Sequence, residues 1–323
     1  MSASSAQPDG EKLAELRSRV DEHFFSRDTL DALDFVFDTR NRLRGKSREV
    51  GDVFAHNLIA VVTTASSTWV FARRTAMTAA YYGLMGVEIG LRKKYDPALD
   101  HAEVQKKLHE ALQEGKWKET LEKTAANLAI GNLADFLEDE IGRNCATNVL
   151  LQCAVMTWSA LEILTADLFV AFLNQNPKMT ATLFADEHTK KLYSPKEIAL
   201  SLEEHSYDLS NKMGDVLLGL CRMDDLVKMR AIYEALLKNV VIRQQLNTVE
   251  LWRLFKSRNL IVHRAAVVDE LFRNSTGLDV KVGDALKITP AQLEEYILIV
   301  GHAGVEILRG AEQFFPPDKG GAT

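Results

Sequence analysis

The sequence predicts an all-α protein, and three observations predict it. Its 323 residues include only 7 prolines and 18 glycines, apolar residues recur at helical spacing over long stretches, and 46% hydrophobic with 26% charged residues is an ordinary globular balance. A chain of this length buries a substantial core, as one large domain or two of common size. The net charge of −6 at pH 7 argues against coating nucleic acid by bulk electrostatics, and it leaves room for a local basic groove. Cys145, Cys153 and Cys221 build no disulfide framework and make no metal-spaced pair, so reduced core thiols of a cytoplasmic protein are expected. The first 12 residues are polar and lack the apolar core of a secretion signal.

Taken in order, Leu13, Leu16, Val20 and Phe24 mark a first amphipathic helix after a polar start expected to be disordered. Residues 28–44 read as a second helix, with Leu30, Leu33, Val36 and Phe37 inward. It closes in the basic turn Arg40-Asn41-Arg42-Leu43-Arg44-Gly45-Lys46. Cations complementing a helix C-terminus explain that cluster better than a phosphate site does. Residues 57–72 and 75–87 carry no charge, but neither piece reaches the roughly 20 residues needed to span a bilayer, and Arg73-Arg74 separates them. Two buried helices rich in small residues are therefore expected there, and no membrane partner. A charged turn follows over residues 92–100, then a polar helix over 101–117 with His101 and His109 solvated, then a helix over 121–141. The domain boundary is placed near Asn144, giving an N-terminal helical region (1–144), a second domain (145–312) and a flexible tail (313–323).

The second part opens on a long apolar helix over residues 146–174, in which Glu162 stands among Trp158, Leu161 and Leu164. Residues 179–206 read as irregular with a short helix from Pro195, and Lys190 and Lys191 there are candidates for a substrate loop. Helices over 211–221 and 223–237 frame a further one, capped by Asn247 or Thr248. Residues 280–288 alternate around Gly283-Asp284 and are expected to form a small hairpin. Thr289-Pro290 then caps a last helix.

The framed helix carries Arg258-Asn259-Leu260-Ile261-Val262-His263. Its apolar stripe runs through Leu251, Leu254, Phe255, Ile261, Val262 and Ala265, and Arg258 falls where leucine is the default. A guanidinium cannot shed its charge, so that position demands an acid or an anionic ligand. Glu162 has the complementary problem, which makes the two a candidate pair. Asn259 stacks one turn from His263, and Arg258 and His263 lie about 140° apart around the axis, flanking a groove. Across proteins such a pair is more often a structural ion pair and a core histidine than a catalytic couple.

Arginine, a polar residue and then histidine at this spacing resembles the motif of HEPN-domain ribonucleases, and the following Val267-Val268-Asp269-Glu270 is similar to that family's usual continuation. The resemblance covers residues 145 to 312. It implies a HEPN-like bundle there, with an acid of the first bundle helix touching the motif arginine, and the unmatched N-terminal multi-helix region is expected to pack on that bundle. It also implies a homodimer in which two copies of Arg258 and His263, with Asn259 in support, share one cleft and cut RNA without a metal, leaving 2′,3′-cyclic phosphates. A toxin or defence role, with an antitoxin or other regulatory partner, belongs to the same expectation, and the N-terminal helices then serve as sensor or dimer extension. The alternative is a HEPN-like module that binds a nucleotide or protein without turnover. No other catalytic signature competes: the chain lacks a phosphate-binding Gly-x-x-x-x-Gly-Lys loop, a Gly-x-Ser-x-Gly elbow and a His-Glu-x-x-His pair, so no cofactor or metal is expected.

Overall fold

The computed structural model describes residues 10–25, 31–95, 100–113, 115, 117–204, 206 and 208–315, and among them it is built of helices without a strand. The chain is therefore all-α. The expected disorder before residue 10, Leu30 and Pro97 fall outside the described residues.

Contacts divide the chain into two compact units, Met1–Arg27 with Ala65–Val149, and Asp28–Thr64 with Leu150–Thr323. The expected single boundary near Asn144 corresponds to only one of these crossings. Residues 28–64 belong with the later part of the chain, because their apolar face is complementary to its helices.

In the first unit, α1 (Gly10–His23) packs on α5 (Lys118–Phe136). Val20 and Phe24 meet Ile130, Leu133, Ala134 and Leu137 in one apolar cluster, which Trp69 and Ala72 join. The latter two belong to α3 (Gly45–Tyr95), a continuous helix of 51 residues. The two short buried helices expected there are thus one helix, and only one of its sides is buried in this unit. Arg73 and Arg74 do not interrupt it, since both are good helix formers and both are exposed to water. Ala76 and Ala80 pack against Ala125 and Ala129, and Met85 against Val104 of α4 (His101–Gln113). The next helix, α6 (Glu140–Gln175), starts earlier than its apolar pattern indicated. Asp139 accepts the Gly142 N–H at 2.8 Å, and Arg143 donates to the Leu137 and Glu138 carbonyls. A side chain at Gly142 would strike the Phe136 carbonyl, so this glycine permits the tight entry and does not end a helix.

In the second unit, residues 150–175 of α6 form the centre, with Trp158, Leu161, Leu164, Leu168 and Phe169 all buried. Phe54 and Leu58 of α3 are buried in the same unit, as are α2 (Asp34–Arg42) residue Val36 and much of α14 (Pro290–Glu312). Gly304 of α14 faces the Phe54 ring and the Leu164 methyls so closely that a β-carbon has no room. The helix starts as expected, with Thr289 as its cap and Pro290 in its first turn, and Gln292 completes a capping box not anticipated from the sequence. Between α6 and α14 the chain adds α7 (Thr180–Ala185), α8 (Pro195–Glu204), α9 (Met213–Leu220), α10 (Leu226–Leu237), α11 (Val240–Leu246), α12 (Val249–Arg264) and α13 (Glu270–Thr276). Tyr233 of α10 donates to the Thr165 carbonyl at 2.6 Å, and Asn174 of α6 bonds both the Gly214 N–H and Asp215 at the start of α9.

Residues 280–288 do not pair with themselves as a hairpin. They pair with the chain that leaves α12: Val268 N donates to Asp284 O at 2.9 Å, Gly283 N to Val268 O at 2.8 Å and Leu286 N to Ala266 O at 2.7 Å. Gly283 sits at φ 93°, which lets the segment turn back. The tail begins packed, because Phe314 stacks edge-on to Phe172 with ring centroids 5.1 Å apart; residues 316–323 lie outside the described residues.

Gly304→Ala is expected to cost about 1–3 kcal/mol by overpacking, whereas Gly83→Ala, in open space on α3, gains up to about 1 kcal/mol of helix propensity. Urea denaturation of the two variants checks the contrast.

Candidate functional site

The site begins with the apolar side of α12. Leu251, Leu254, Phe255, Leu260 and Ile261 are buried, and the Phe255 ring lies 5.0 Å from that of Trp158 on α6. This contact fixes α12 beside α6 and brings the next turns of both helices together. There Arg258 Nη2 lies 3.5 Å from Glu162 Oε2, with side-chain exposures of 20% and 27%. The acid and the cation that each lacked a partner in the sequence face one another.

The spacing stacked Asn259 one turn from His263, but its Oδ1 accepts from Arg258 Nη1 at 3.0 Å, a charge-assisted bond to the guanidinium beside it. Arg258 is thus held from two sides, while its buried Nε finds no hydrogen-bond partner among the described residues. His263 lies in the last turn of α12 and is exposed. The helix stops directly after it: Ala265 and Ala266 both take positive φ, and the Ala266 N–H returns to the Leu260 carbonyl at 3.2 Å. Trp252 Nε1 donates to Ser275 O and Arg253 Nε to Thr276 O, tying α13 to α12. Asp269, part of the run that follows the motif, caps α13 through the Phe272 N–H at 2.7 Å.

Arg258, Asn259, His263, Phe255 and Glu162 line one open cleft of about 540 Å³. Its other wall was not anticipated from the sequence. Arg222, Asp224 and Asp225, in the turn before α10, and Lys228, in its first turn, complete the lining. Lys228 Nζ lies 3.2 Å from Asp224, and Asp225 accepts the Val227 and Lys228 N–H groups as the α10 cap. The only sequence signal was a charged run, Arg222-Met223-Asp224-Asp225, between the buried Cys221 and Leu226.

Burial raises the Glu162 carboxyl above the ordinary glutamate range. Arg258 opposes this, Asp224 adds to it, and the Trp158 indole opposes it weakly. The indole N–H is near enough to favour the carboxylate but reaches no acceptor in hydrogen-bonding geometry, so burial prevails. Lys228 is shifted upward: burial pulls it down, and the hydrogen bond and charge of Asp224, helped by Cys221 and Asp225, outweigh that pull.

Other sequence candidates lie elsewhere. Lys190 and Lys191 are exposed in a short 3₁₀ turn and do not line this cleft. Arg40 of the basic turn is committed to Asp52 at 3.3 Å. His109 meets the Tyr81 hydroxyl at 3.3 Å. Cys145 is exposed and so is no core thiol, whereas burial raises Cys153 to about 11 and also raises Cys221. Among the described residues no three His, Cys, Asp or Glu side chains gather as a metal site would require. No family model, curated protein or solved structure matches the chain.

Because the Glu162 pKa is raised in the folded state, folding is favoured while the carboxyl is protonated, and that advantage is lost as pH rises through the raised value. Glu162→Gln does not titrate, so its stability relative to wild type should improve between about pH 4 and pH 7. Urea melts across that range check the sign; a relative loss with rising pH would mean that Arg258 outweighs burial.

Proposed function

We propose that the chain is a metal-independent endoribonuclease of the HEPN type, acting as a homodimer in which Arg258 and His263 from each copy share one cleft. The observation that carries this reading is that an exposed His263 and a half-buried, doubly anchored Arg258 line the same open cleft. A structural histidine has no need of solvent access.

RNA cleavage of this kind requires a base for the 2′-hydroxyl, an acid for the leaving oxygen and positive charge at the phosphorus. Imidazole serves the proton transfers because its ordinary pKa lies near working pH. As His263 takes the proton, the 2′-oxygen bonds to phosphorus, and the bond from phosphorus to the 5′-oxygen breaks. The 5′-oxygen is protonated by the partner subunit's His263, since one imidazole cannot fill both roles at once. The products are a 2′,3′-cyclic phosphate and a 5′-hydroxyl. Arg258 stabilises the crowded phosphoryl group. Each of its Nη atoms retains a second N–H after bonding Asn259 or Glu162, so the anchors fix the fork without consuming it. In this reading Asn259 and Glu162 position the arginine and do not touch the reacting atoms.

A cytoplasmic toxin or defence effector, restrained by an antitoxin or other regulatory partner and sensing through its N-terminal helices, accords with the same resemblance. One observation favours the second reading, a HEPN-like module that binds a nucleotide or protein without turnover. The cations Arg222, Lys228 and Arg258 are matched by the carboxylates Glu162, Asp224 and Asp225, so the cleft carries little free positive charge for a long RNA backbone.

Purified His263→Ala and Arg258→Ala should each lose RNA cleavage by about 100-fold or more at unchanged helicity, and EDTA should leave the wild type active. Full activity in His263→Ala would end the ribonuclease reading, and loss in EDTA would reveal a metal requirement.

A further inference from the structure

The first unit presents an apolar surface that its own residues do not cover. Along α3, Phe71, Thr75, Ala79, Gly83, Val87 and Leu91 follow one another at four-residue spacing, and Thr78, Tyr82, Gly86 and Gly90 form the neighbouring row. Every one of these residues is exposed. Phe71 is 68% exposed, Tyr82 66% and Val87 63%. Nothing lies within 4 Å of where a side chain would stand at Gly83, Gly86 or Gly90. At about 1.5 Å per residue the strip extends roughly 30 Å.

Its borders are cationic. Arg73 and Arg74 stand at one end and Arg92, Lys93 and Lys94 at the other, all exposed. Between Arg74 and Arg92 the only charged residue is Glu88, which is paired with Arg92 at 2.8 Å. We infer that this face of α3 docks on an anionic membrane surface, with the apolar strip at the acyl boundary and the flanking cations among the headgroups. An uncharged strip framed by arginine and lysine is what such a surface binds, through apolar burial and headgroup attraction together.

Two other occupants fit less well. A second copy of the same face sets one cationic end against another in either orientation, since Arg74 meets Arg74 in parallel pairing and meets Lys93 or Lys94 in antiparallel pairing, and the strip holds no free carboxylate to answer it. Spanning the bilayer is opposed by the other side of the helix. Along the strip the opposite side of α3 is already buried in the protein, with Ala76 and Ala80 packed on Ala125 and Ala129 and Met85 on Val104. A helix held by its own protein on one side and apolar on the other lies on a membrane. The expectation of no membrane partner rested on the lack of a spanning segment, and a surface helix does not need one. This inference is independent of the ribonuclease reading.

The test is flotation of the full chain with vesicles of equal parts phosphatidylcholine and phosphatidylserine, and with phosphatidylcholine alone. The chain should float with the anionic vesicles only, and either Phe71→Asp or the double variant Arg73→Glu with Arg74→Glu should lower recovery about tenfold at unchanged helicity and melting temperature. Absence of flotation, equal recovery on neutral lipid, or variants that float like wild type would each overturn the inference. So would a wild-type oligomer in sedimentation velocity that Phe71→Asp disperses, because the face would then belong to a second copy.

Discussion

A guanidinium that cannot be neutralised, set at the edge of an apolar seam, sets the layout of the cleft in the second unit. Arg258 has no means of shedding its charge, so the seam must supply an acid, and the acid must come from a neighbouring helix because its own helix turns leucine and phenylalanine toward the core. Glu162 meets that need from α6. The contact is long and partly wet. Its contribution therefore falls between the roughly 0.2–1 kcal/mol of an exposed pair and the roughly 3–5 kcal/mol penalty for orphaning one member of a buried pair. The pairing matters more for aim than for stability. It holds the fork at the rim of the cleft, where Asn259 steadies its other nitrogen.

The apolar contacts behind the pair do the larger share of the holding. Trp158 precedes Glu162 by one turn on α6, and Phe255 precedes Arg258 on α12, so the ring contact and the ion pair are successive rungs between the same two helices. Beyond His263 the backbone is pinned differently. Two alanines at positive φ end the helix, and the segment around Gly283 hydrogen-bonds to residues 266–268. The last turn of α12 is thus anchored at its base, which keeps an exposed imidazole in a defined place.

What could be read from the sequence was local. The helical class, the Thr289 cap with Pro290 after it at the start of α14 and the mismatch of Arg258 with its stripe each depend on a few neighbouring residues. The misjudged features depend on distant ones. Residues 57–87 gave two helices because Arg73-Arg74 looked like a break, yet in one helix those side chains lie in water and interrupt nothing. Residues 280–288 have hairpin alternation, but their cross-segment hydrogen-bond partners lie fifteen to twenty residues upstream. The far wall of the cleft was invisible for the same reason: Arg222 and Lys228 gain meaning only when α10 is placed beside α6 and α12. Asn259 accepts from Arg258 and not from the His263 ring one turn away, since spacing along a helix does not say which of two nearby polar groups a side chain will choose.

The central claim is that Arg258 and His263 act together on a phosphodiester by way of the adjacent 2′-hydroxyl. The most direct measurement is cleavage of an RNA oligonucleotide in which the nucleotide at one mapped cut position is replaced by its 2′-deoxy analogue. The account predicts that cutting stops at that position alone and that the other cuts carry 2′,3′-cyclic phosphate ends. Continued cutting at the deoxy position, or products with 5′-phosphates, would contradict it.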